Sequence, residues 1–367
     1  MWIWERPEWP TFRWDAAALS GPLGSARLAQ GKMLGAMRLF DPASSAEAAA
    51  EILVEDGFAT SAIEGEHLDP ARLRSSVARH LGLPAGGLPS PSPEGEGLIQ
   101  VLLDATGRHD EPLTISRLCA WQAALFPGGR SGLARIRAGE LRGESPMRVV
   151  SGRPERERIH FEAPPRAALA SELSRFLDWF GQRDPGRDGL VRAGLAHLWF
   201  VTIHPFEDGN GRLARAITDM ALSQDEGRPF RAFSLSAQIL RERDAYYEIL
   251  ERTQRSDLEV TAWLGWFLAQ VASAAEASEA TIARVLGKAR FWLKHQGTPL
   301  NDRQRKVLNR LLDAGPGGFA GGLNTRKYVG MTRISRATAY RELTDMVAKG
   351  CLRQAGAGRS VKYEAAW

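Results

Sequence analysis

The run His204-Pro205-Phe206-Glu207-Asp208-Gly209-Asn210-Gly211-Arg212-Leu213-Ala214-Arg215 lies between two stretches of helical periodicity. Upstream, Leu190, Val191, Leu195, Leu198 and Trp199 recur at i, i+3/i+4 spacing, which predicts a core-facing helix over 190–203. Pro205 stops it, because proline lacks a donor and clashes with the preceding turn. Downstream, the spacing predicts that a helix restarts over 213–221. A Gly-Asn-Gly turn running into a helix can aim several backbone N–H groups at one point, a nest that suits phosphate. Asp208 beside it offers a hard oxygen ligand of the kind Mg²⁺ shares with phosphates. Arg212 and Arg215 are three apart, so they project from neighbouring points on the first turn and can grip further phosphates. His204 can remove a proton from an incoming hydroxyl near neutral pH. Phe206 is apolar and anchors the loop. The set reads as a metal-nucleotide site with a general base, hence transfer of part of a nucleotide to a hydroxyl.

Working outward, residues 1–80 read as helical, with Ala-rich stretches at 45–54 and 69–81. Residues 82–97 hold 11 Gly, Pro or Ser among 16, which predicts a loop. Helical periodicity returns from Leu98 to about Arg142. Val149-Val150 and Ile159-His160-Phe161, around Ser151-Gly152-Arg153-Pro154, predict a β-hairpin. Pro164-Pro165 then ends the strand and opens a helix through Phe180. Further helices are expected over 241–254 and 259–275.

The C-terminal part reads as separate. A helix over 302–314, a glycine-rich break over 315–322, a short helix over 324–330, a longer one capped by Ser335 and a hairpin over 350–363 follow in winged-helix order. Residues 301–367 carry 13 Lys/Arg against 5 Asp/Glu, while the preceding 300 carry 35 against 38. An acidic partner is therefore implied for the tail alone, unless its charge is simply a solvated surface. No apolar run reaches the ~18 residues of a membrane helix. The N-terminus lacks the apolar core of a secretory signal. With only Cys119 and Cys351, the chain is expected in the cytoplasm, away from membranes and without a disulfide framework.

The run 204–215 resembles the signature of the Fic (filamentation induced by cAMP) family, H-x-F-x-[D/E]-G-N-G-R-x-x-R, at every fixed position. The resemblance implies a mainly α fold: a Fic helical core with a β-hairpin flap, here followed by a winged helix-turn-helix domain. It implies protein adenylyltransferase activity, moving AMP from ATP to a Tyr, Thr or Ser hydroxyl of a protein target with Mg²⁺. His204 would be the base and Asp208 the metal ligand. Gly209, Asn210, Gly211 and Arg212 would cradle the α- and β-phosphates, and Arg215 would reach the γ-phosphate. Relatives that transfer phosphate or phosphocholine instead usually depart at the arginine or glycine positions, which are intact here.

A second match is Thr60-Ser61-Ala62-Ile63-Glu64-Gly65, which fits the family's inhibitory motif [S/T]-x-x-x-E-[G/N]. A carboxylate paired with Arg215 would take that arginine from the γ-phosphate and put negative charge in its place. Glu64 could also position a water that removes AMP again. The hairpin falls where the family places a flap, whose expected work is holding a target segment by strand addition. His160 lies in it and reads as structural sooner than catalytic. Tyr246 and Tyr247 resemble tyrosines lining the adenine pocket of relatives, or pack the core. Trp2, Trp4, Trp9 and Trp14 resemble the N-terminus of winged-helix Fic proteins and are expected to clamp the body. The expected divisions are 1–110 with the inhibitory motif, 111–280 as catalytic core and 296–367 as winged helix. Self-modification and a homodimer are compatible with this reading. The alternative is a DNA-binding regulator, using Arg333, Arg336 and Arg341 on the winged helix, with the Fic site as nucleotide sensor; the tail could equally dock a protein.

Overall fold

The structure, a computed structural model, describes the 367 residues except 85–86, 152–156, 316–318, 320–321 and 357–360. The expected hairpin turn at Gly152-Arg153-Pro154 and much of the glycine-rich break at 315–322 lie outside the described residues. The chain divides into two compact units, Met1–Arg38 with Ala49–Ser278, and Leu39–Ala48 with Glu279–Trp367.

The first unit is built around α7 (Gly189–Ile203) and α8 (Asn210–Glu226), which pack on each other. Every residue from Leu190 to Ile203 is buried, as expected of a helix that is apolar on all sides. Asp188 caps α7 by accepting from the N–H of Leu190 at 2.8 Å. Helix α8 starts three residues earlier than the periodicity predicts. Gly209, at φ 88°, supplies the left-handed entry, so Asn210, Gly211 and Arg212 already lie on the first helical turn.

Around this pair stand α1 (Ala16–Met37), α2 (Pro42–Ile63) from Ala49 onward, α3 (Pro70–His80), α4 (Pro93–Gly107), α5 (Ile115–Leu125) and α6 (Leu169–Gly181). Helices α9 (Leu235–Arg241), α10 (Arg243–Thr253) and α11 (Thr261–Lys294) follow α8. The loop expected over 82–97 is shorter than its composition suggests. Ser92 accepts from the N–H of Gly95 and starts α4 there. Gly95 and Gly97 are thus helical, and Gly97 has a packing reason: a Cβ on it would stand 1.8 Å from the Ala124 carbonyl oxygen of α5. Nor is 126–142 helical. It holds the short antiparallel pair β1 (Arg130–Ser131) and β2 (Ala134–Arg135). The expected hairpin is present as β3 (Arg148–Ser151) paired antiparallel with β4 (Arg158–Glu162).

The N-terminal tryptophans seat on this unit. Trp4 Nε1 donates to the Glu162 carbonyl at 2.7 Å, Trp9 Nε1 donates to Glu172 Oε2 at 2.7 Å, and the Trp9 ring meets Trp199 edge-on at 6.1 Å. Residues 1–38 and 49–110, from the expected N-terminal region, share one compact unit with 111–278.

The second unit contains α12 (Asp302–Asp313), α13 (Thr325–Thr332), α14 (Arg336–Ala348) and the antiparallel pair β5 (Leu352–Ala355) and β6 (Lys362–Ala365). That is the element order read from the sequence. Its core is formed by Leu308 and Leu312 of α12, Tyr328 of α13, Leu343 of α14 and Tyr363 of β6. The unit begins at residue 279, earlier than the expected 296, and takes in residues 39–48.

Candidate active site

The α7–α8 connection is a tight loop with a strained entry. His204 ends α7 at φ 52° and ψ 60°, a left-handed conformation that costs a non-glycine residue of order 1 kcal/mol or more and is concentrated at functional sites. Arg142 over-determines it. The buried guanidinium donates from Nε to the His204 carbonyl at 2.9 Å and from Nη2 to the Pro164 carbonyl at 2.5 Å, while the Arg142 backbone N–H donates to the Pro205 carbonyl at 3.0 Å. Asn210 ties the loop from the other side. Its Oδ1 accepts from the Phe206 N–H at 2.9 Å and its Nδ2 donates to the Phe206 carbonyl at 2.8 Å. Phe206 is fully buried, the anchor expected of it.

The His204 imidazole lies with Nδ1 3.1 Å from the Val201 carbonyl. A carbonyl only accepts, so Nδ1 carries the proton and Nε2 keeps its lone pair. Burial pushes the His204 pKa below its ordinary value, with Arg142 adding to the effect; Glu64 and Asp208 oppose it. The ring is neutral at neutral pH and competent to accept a proton.

Asp208 is held open-handed beside the turn. Ser131 of β1 donates its hydroxyl to Asp208 Oδ2, and the Gly209 N–H donates to Oδ1 at 2.5 Å. The first N–H groups of α8 have no partner within the helix, as at any helix start, and the positive end of the helix dipole adds to them.

Both motif arginines are engaged by carboxylates at the end of α2. Thr60 and Glu64 are one turn apart, so they share a helix face. Arg215 Nη2 donates to Glu64 Oε1 at 2.8 Å, and its Nε donates to Thr60 Oγ1 at 2.6 Å. The same Nη2 also donates to the Thr60 carbonyl at 2.9 Å, which caps the α2 C-terminus with a cation. Gly65, at φ 82°, then lets the chain leave the helix. Arg212 Nη1 donates to Glu66 Oε2 at 2.7 Å, and its guanidinium lies 4.7 Å over the Phe126 ring. Burial pushes the Glu66 carboxyl up and Arg212 opposes it. The Glu64 carboxylate sits over the start of α8: a Cβ on Gly211 would be 2.1 Å from its Oε1. Arg215 Nη1 and Arg212 Nε are buried without a hydrogen-bond partner, donors that an anion at this place could take up.

One cavity of about 860 Å³ brings together Glu64, His204, Asp208, Asn210, Gly211 and the inner side of β3–β4. Arg212 and Arg215 stand behind this lining, 5% and 2% exposed. Tyr246 and Tyr247 both border the cavity. Tyr246 is buried: its hydroxyl donates to His197 Nε2 at 2.8 Å, and His197 Nδ1 donates to Thr218 Oγ1 at 2.9 Å. Burial lowers the His197 pKa to about 3, so that relay is neutral. Tyr247 is more exposed and donates to the Ile63 carbonyl at 3.3 Å, beside Arg243 Nε at 2.8 Å. The two tyrosines thus serve α7–α10 packing and the end of α2, and still face the cavity.

Three contributors escaped the sequence reading. Arg142 and Ser131 lie in a stretch read as helical, where nothing marks them. Glu66 stands just past the inhibitory pattern, and two acidic residues spaced to meet two arginines were the only available sign.

The profile of the Fic/DOC family matches residues 112–222, and that of a domain of unknown function (DUF4172) matches residues 2–83. A Uridine 5'-monophosphate transferase of Xanthomonas campestris pv. campestris (strain 8004) is 32% identical over 124 residues, covering 32% of this chain and 22% of that protein. A Protein adenylyltransferase Fic of Nematostella vectensis is 33% identical over 93 residues, 24% of this chain and 20% of that protein. The chain therefore spans about a fifth of the length of these relatives. Among solved structures, a Fic family protein from Desulfovibrio desulfuricans G20 superposes with a TM-score of 0.55 at 18% identity, covering 96% of both chains. At that identity the likeness speaks for the fold.

Proposed function

We propose that this chain, which carries a Fic/DOC domain over residues 112–222, transfers AMP from ATP to a Ser, Thr or Tyr hydroxyl of a protein and is held in check by Glu64. The observation that carries the reading is a neutral, partly buried His204, with Nε2 unprotonated, on the same cavity as the glycine-lined start of α8. The triphosphate would lie over the N-terminus of α8, held by backbone N–H groups of 209–212 and by Arg212 and Arg215. His204 would take the proton of the target hydroxyl as that oxygen attacks the α-phosphorus. Tyr246 and Tyr247 would border the adenine.

Mg²⁺ fits this arrangement. Among the described residues no group of three or more His, Cys, Asp or Glu could hold a metal by itself. One carboxylate, Asp208, together with phosphate oxygens and water is the set Mg²⁺ takes at nucleotide sites. When bound, the ion supplies neutralisation of the phosphate charge.

The geometry supports inhibition as well. Glu64 occupies Arg215 and lays a carboxylate where the phosphates are received, and like charges there repel. One matched relative is named for UMP transfer, so the nucleobase is part of the test. The full-length chain carrying Glu64→Gly is incubated with Mg²⁺ and ATP labelled at the α or the γ position, with UTP in parallel. Intact mass should show AMP added, with the α label retained on protein and the γ label lost. Retention of the γ label would mean phosphoryl transfer and overturn the assignment.

For the second unit we read a nucleic-acid surface as an addition to this activity. Helix α14 turns Arg336, Tyr340, Arg341 and Thr344 to solvent on one face, in a segment of net charge +8. We place the protein in the cytoplasm, where the free thiols of Cys119 and Cys351 persist. Among the described residues no helix is long and apolar enough to cross a membrane.

A further inference from the structure

The wall of the cavity formed by β3 and β4 carries a second constellation, apart from the α7–α8 loop. Ser151 Oγ lies 2.6 Å from His160 Nε2, and His160 Nδ1 lies 2.7 Å from Glu251 Oε2. Arg158 donates to Glu251 Oε1 at 2.9 Å and fixes that carboxylate. Ser151, His160 and Glu251 line the same cavity as His204 and Gly211. The strand pairing is irregular where this matters. Val149 faces Phe161 and Val150 faces Ile159, so His160 is the extra residue of a bulge. Bulges beside active sites re-aim side chains, and this one presents the imidazole to the end of the neighbouring strand.

The proton positions follow from the partners. A carboxylate at this distance accepts, so Nδ1–H points at Glu251 and the Nε2 lone pair faces the Ser151 hydroxyl. A hydroxyl bonded to a base that a third group orients is an activated nucleophile. It needs an electrophile, and a nucleoside triphosphate held at the start of α8, as proposed above, would bring its α-phosphorus into the same cavity.

We propose that Ser151 is an acceptor for the chain's own nucleotidyl transfer, with His160 as its base and Glu251 as the orienting group. The inference rests on the transfer activity proposed above. Ser151 Oγ forms a bond to the α-phosphorus. The bond from that phosphorus to the bridging oxygen breaks, and pyrophosphate leaves. The Ser151 proton passes to His160 Nε2 and then to solvent. The product is a nucleoside monophosphate ester at the end of β3, in the groove where a target strand would lie, so modification would also limit access of other acceptors.

The test uses the full chain with Glu64→Gly, incubated with ATP and Mg²⁺, and peptide mapping by tandem mass spectrometry. AMP is expected on Ser151. His160→Gln should slow labelling at that position at least tenfold and flatten its dependence on pH. Ser151→Thr should move the label to the new hydroxyl, which a merely structural serine would not require. AMP found on other residues with Ser151 bare sinks this inference and leaves the transfer activity standing. Labelling of Ser151 at an unchanged rate in the His160→Gln chain does the same to the assigned base. If the chain labels nothing and calorimetry shows no ATP binding, the transfer reading falls and this inference with it.

Discussion

Glu64 Oε1 and Arg215 Nη2 meet at 2.8 Å between the end of one helix, α2, and the second turn of another, α8. Arg215 is 2% exposed on its side chain while Glu64 keeps 29%. The pair is therefore asymmetric: the arginine is committed to the core, and the carboxylate is the part that can leave. Glu66 repeats the relationship on Arg212 at 2.7 Å, with 39% and 4% side-chain exposure.

The first prediction follows from that asymmetry. Removing Glu64 takes the carboxylate off Arg215, which keeps its bonds to Thr60, and leaves Arg212 paired with Glu66, so Glu64→Gly should activate in part. Adding Glu66→Ala should raise labelling by α-labelled ATP several-fold further, mainly through a lower KM for ATP. Equal rates in the single and double variants would show that Glu66 plays no part in the check.

His204 gives a pH signature. Its pKa is depressed, so the base form persists below the ordinary histidine value of 6.5. In the Glu64→Gly chain, kcat/KM for transfer to a target should stay level down to about that value and fall only below it. His204→Ala should lower transfer to hydroxyls other than Ser151 by about a hundredfold or more, with ATP binding by calorimetry little changed. An acid limb centred above pH 7 would contradict the assigned environment.

Gly211 should be intolerant of any side chain for a reason separate from Glu64. In the Glu64→Gly background the collision with that carboxylate is gone, and a methyl at 211 would still stand 3.3 Å from Arg215 Nη1 and in the path of an incoming phosphate. Gly211→Ala there should weaken ATP binding about tenfold or more, about 1.4 kcal/mol. Unchanged affinity would place the phosphates elsewhere.

Gly97→Ala tests the fold with no reference to nucleotide. The added Cβ meets the Ala124 carbonyl at 1.8 Å, so α4 and α5 must separate. Overpacking of this kind costs about 1–3 kcal/mol, and thermal melting should shift down by several degrees. Gly107→Ala, where a Cβ meets nothing within 4 Å, is the control that should leave the melt unchanged or slightly raised.

For α14, Arg336→Glu with Arg341→Glu should abolish retardation of random duplex DNA by the full chain at low salt. The parent's binding should weaken steeply as salt rises. No retardation by the parent at any salt would assign the surface to another partner.

Much of this molecule was legible along the chain because the relevant physics is local. Apolar spacing marks α7, Pro205 ends it, and Gly209 opens α8 within a few residues. Thr60 and Glu64 share a face by helical spacing alone. The misplaced boundaries share one cause, that composition is blind to packing. Gly95 and Gly97 read as loop formers, yet both lie in α4, and at Gly97 α5 approaches too closely for a side chain.

By itself, the sequence determined a glycine-bearing turn of the kind that suits phosphate, with an imidazole before it and two guanidinium groups after it, since backbone conformation and short spacings suffice for that. Beyond the Glu64–Arg215 pair, tertiary structure decided which further groups meet them. Glu66 lies 146 residues from Arg212, Ser131 lies 77 from Asp208, and Arg142 lies 62 from His204. Contacts at such separations are set by how helices close on a common core, and no local pattern encodes which carboxylate, hydroxyl or guanidinium the packing delivers.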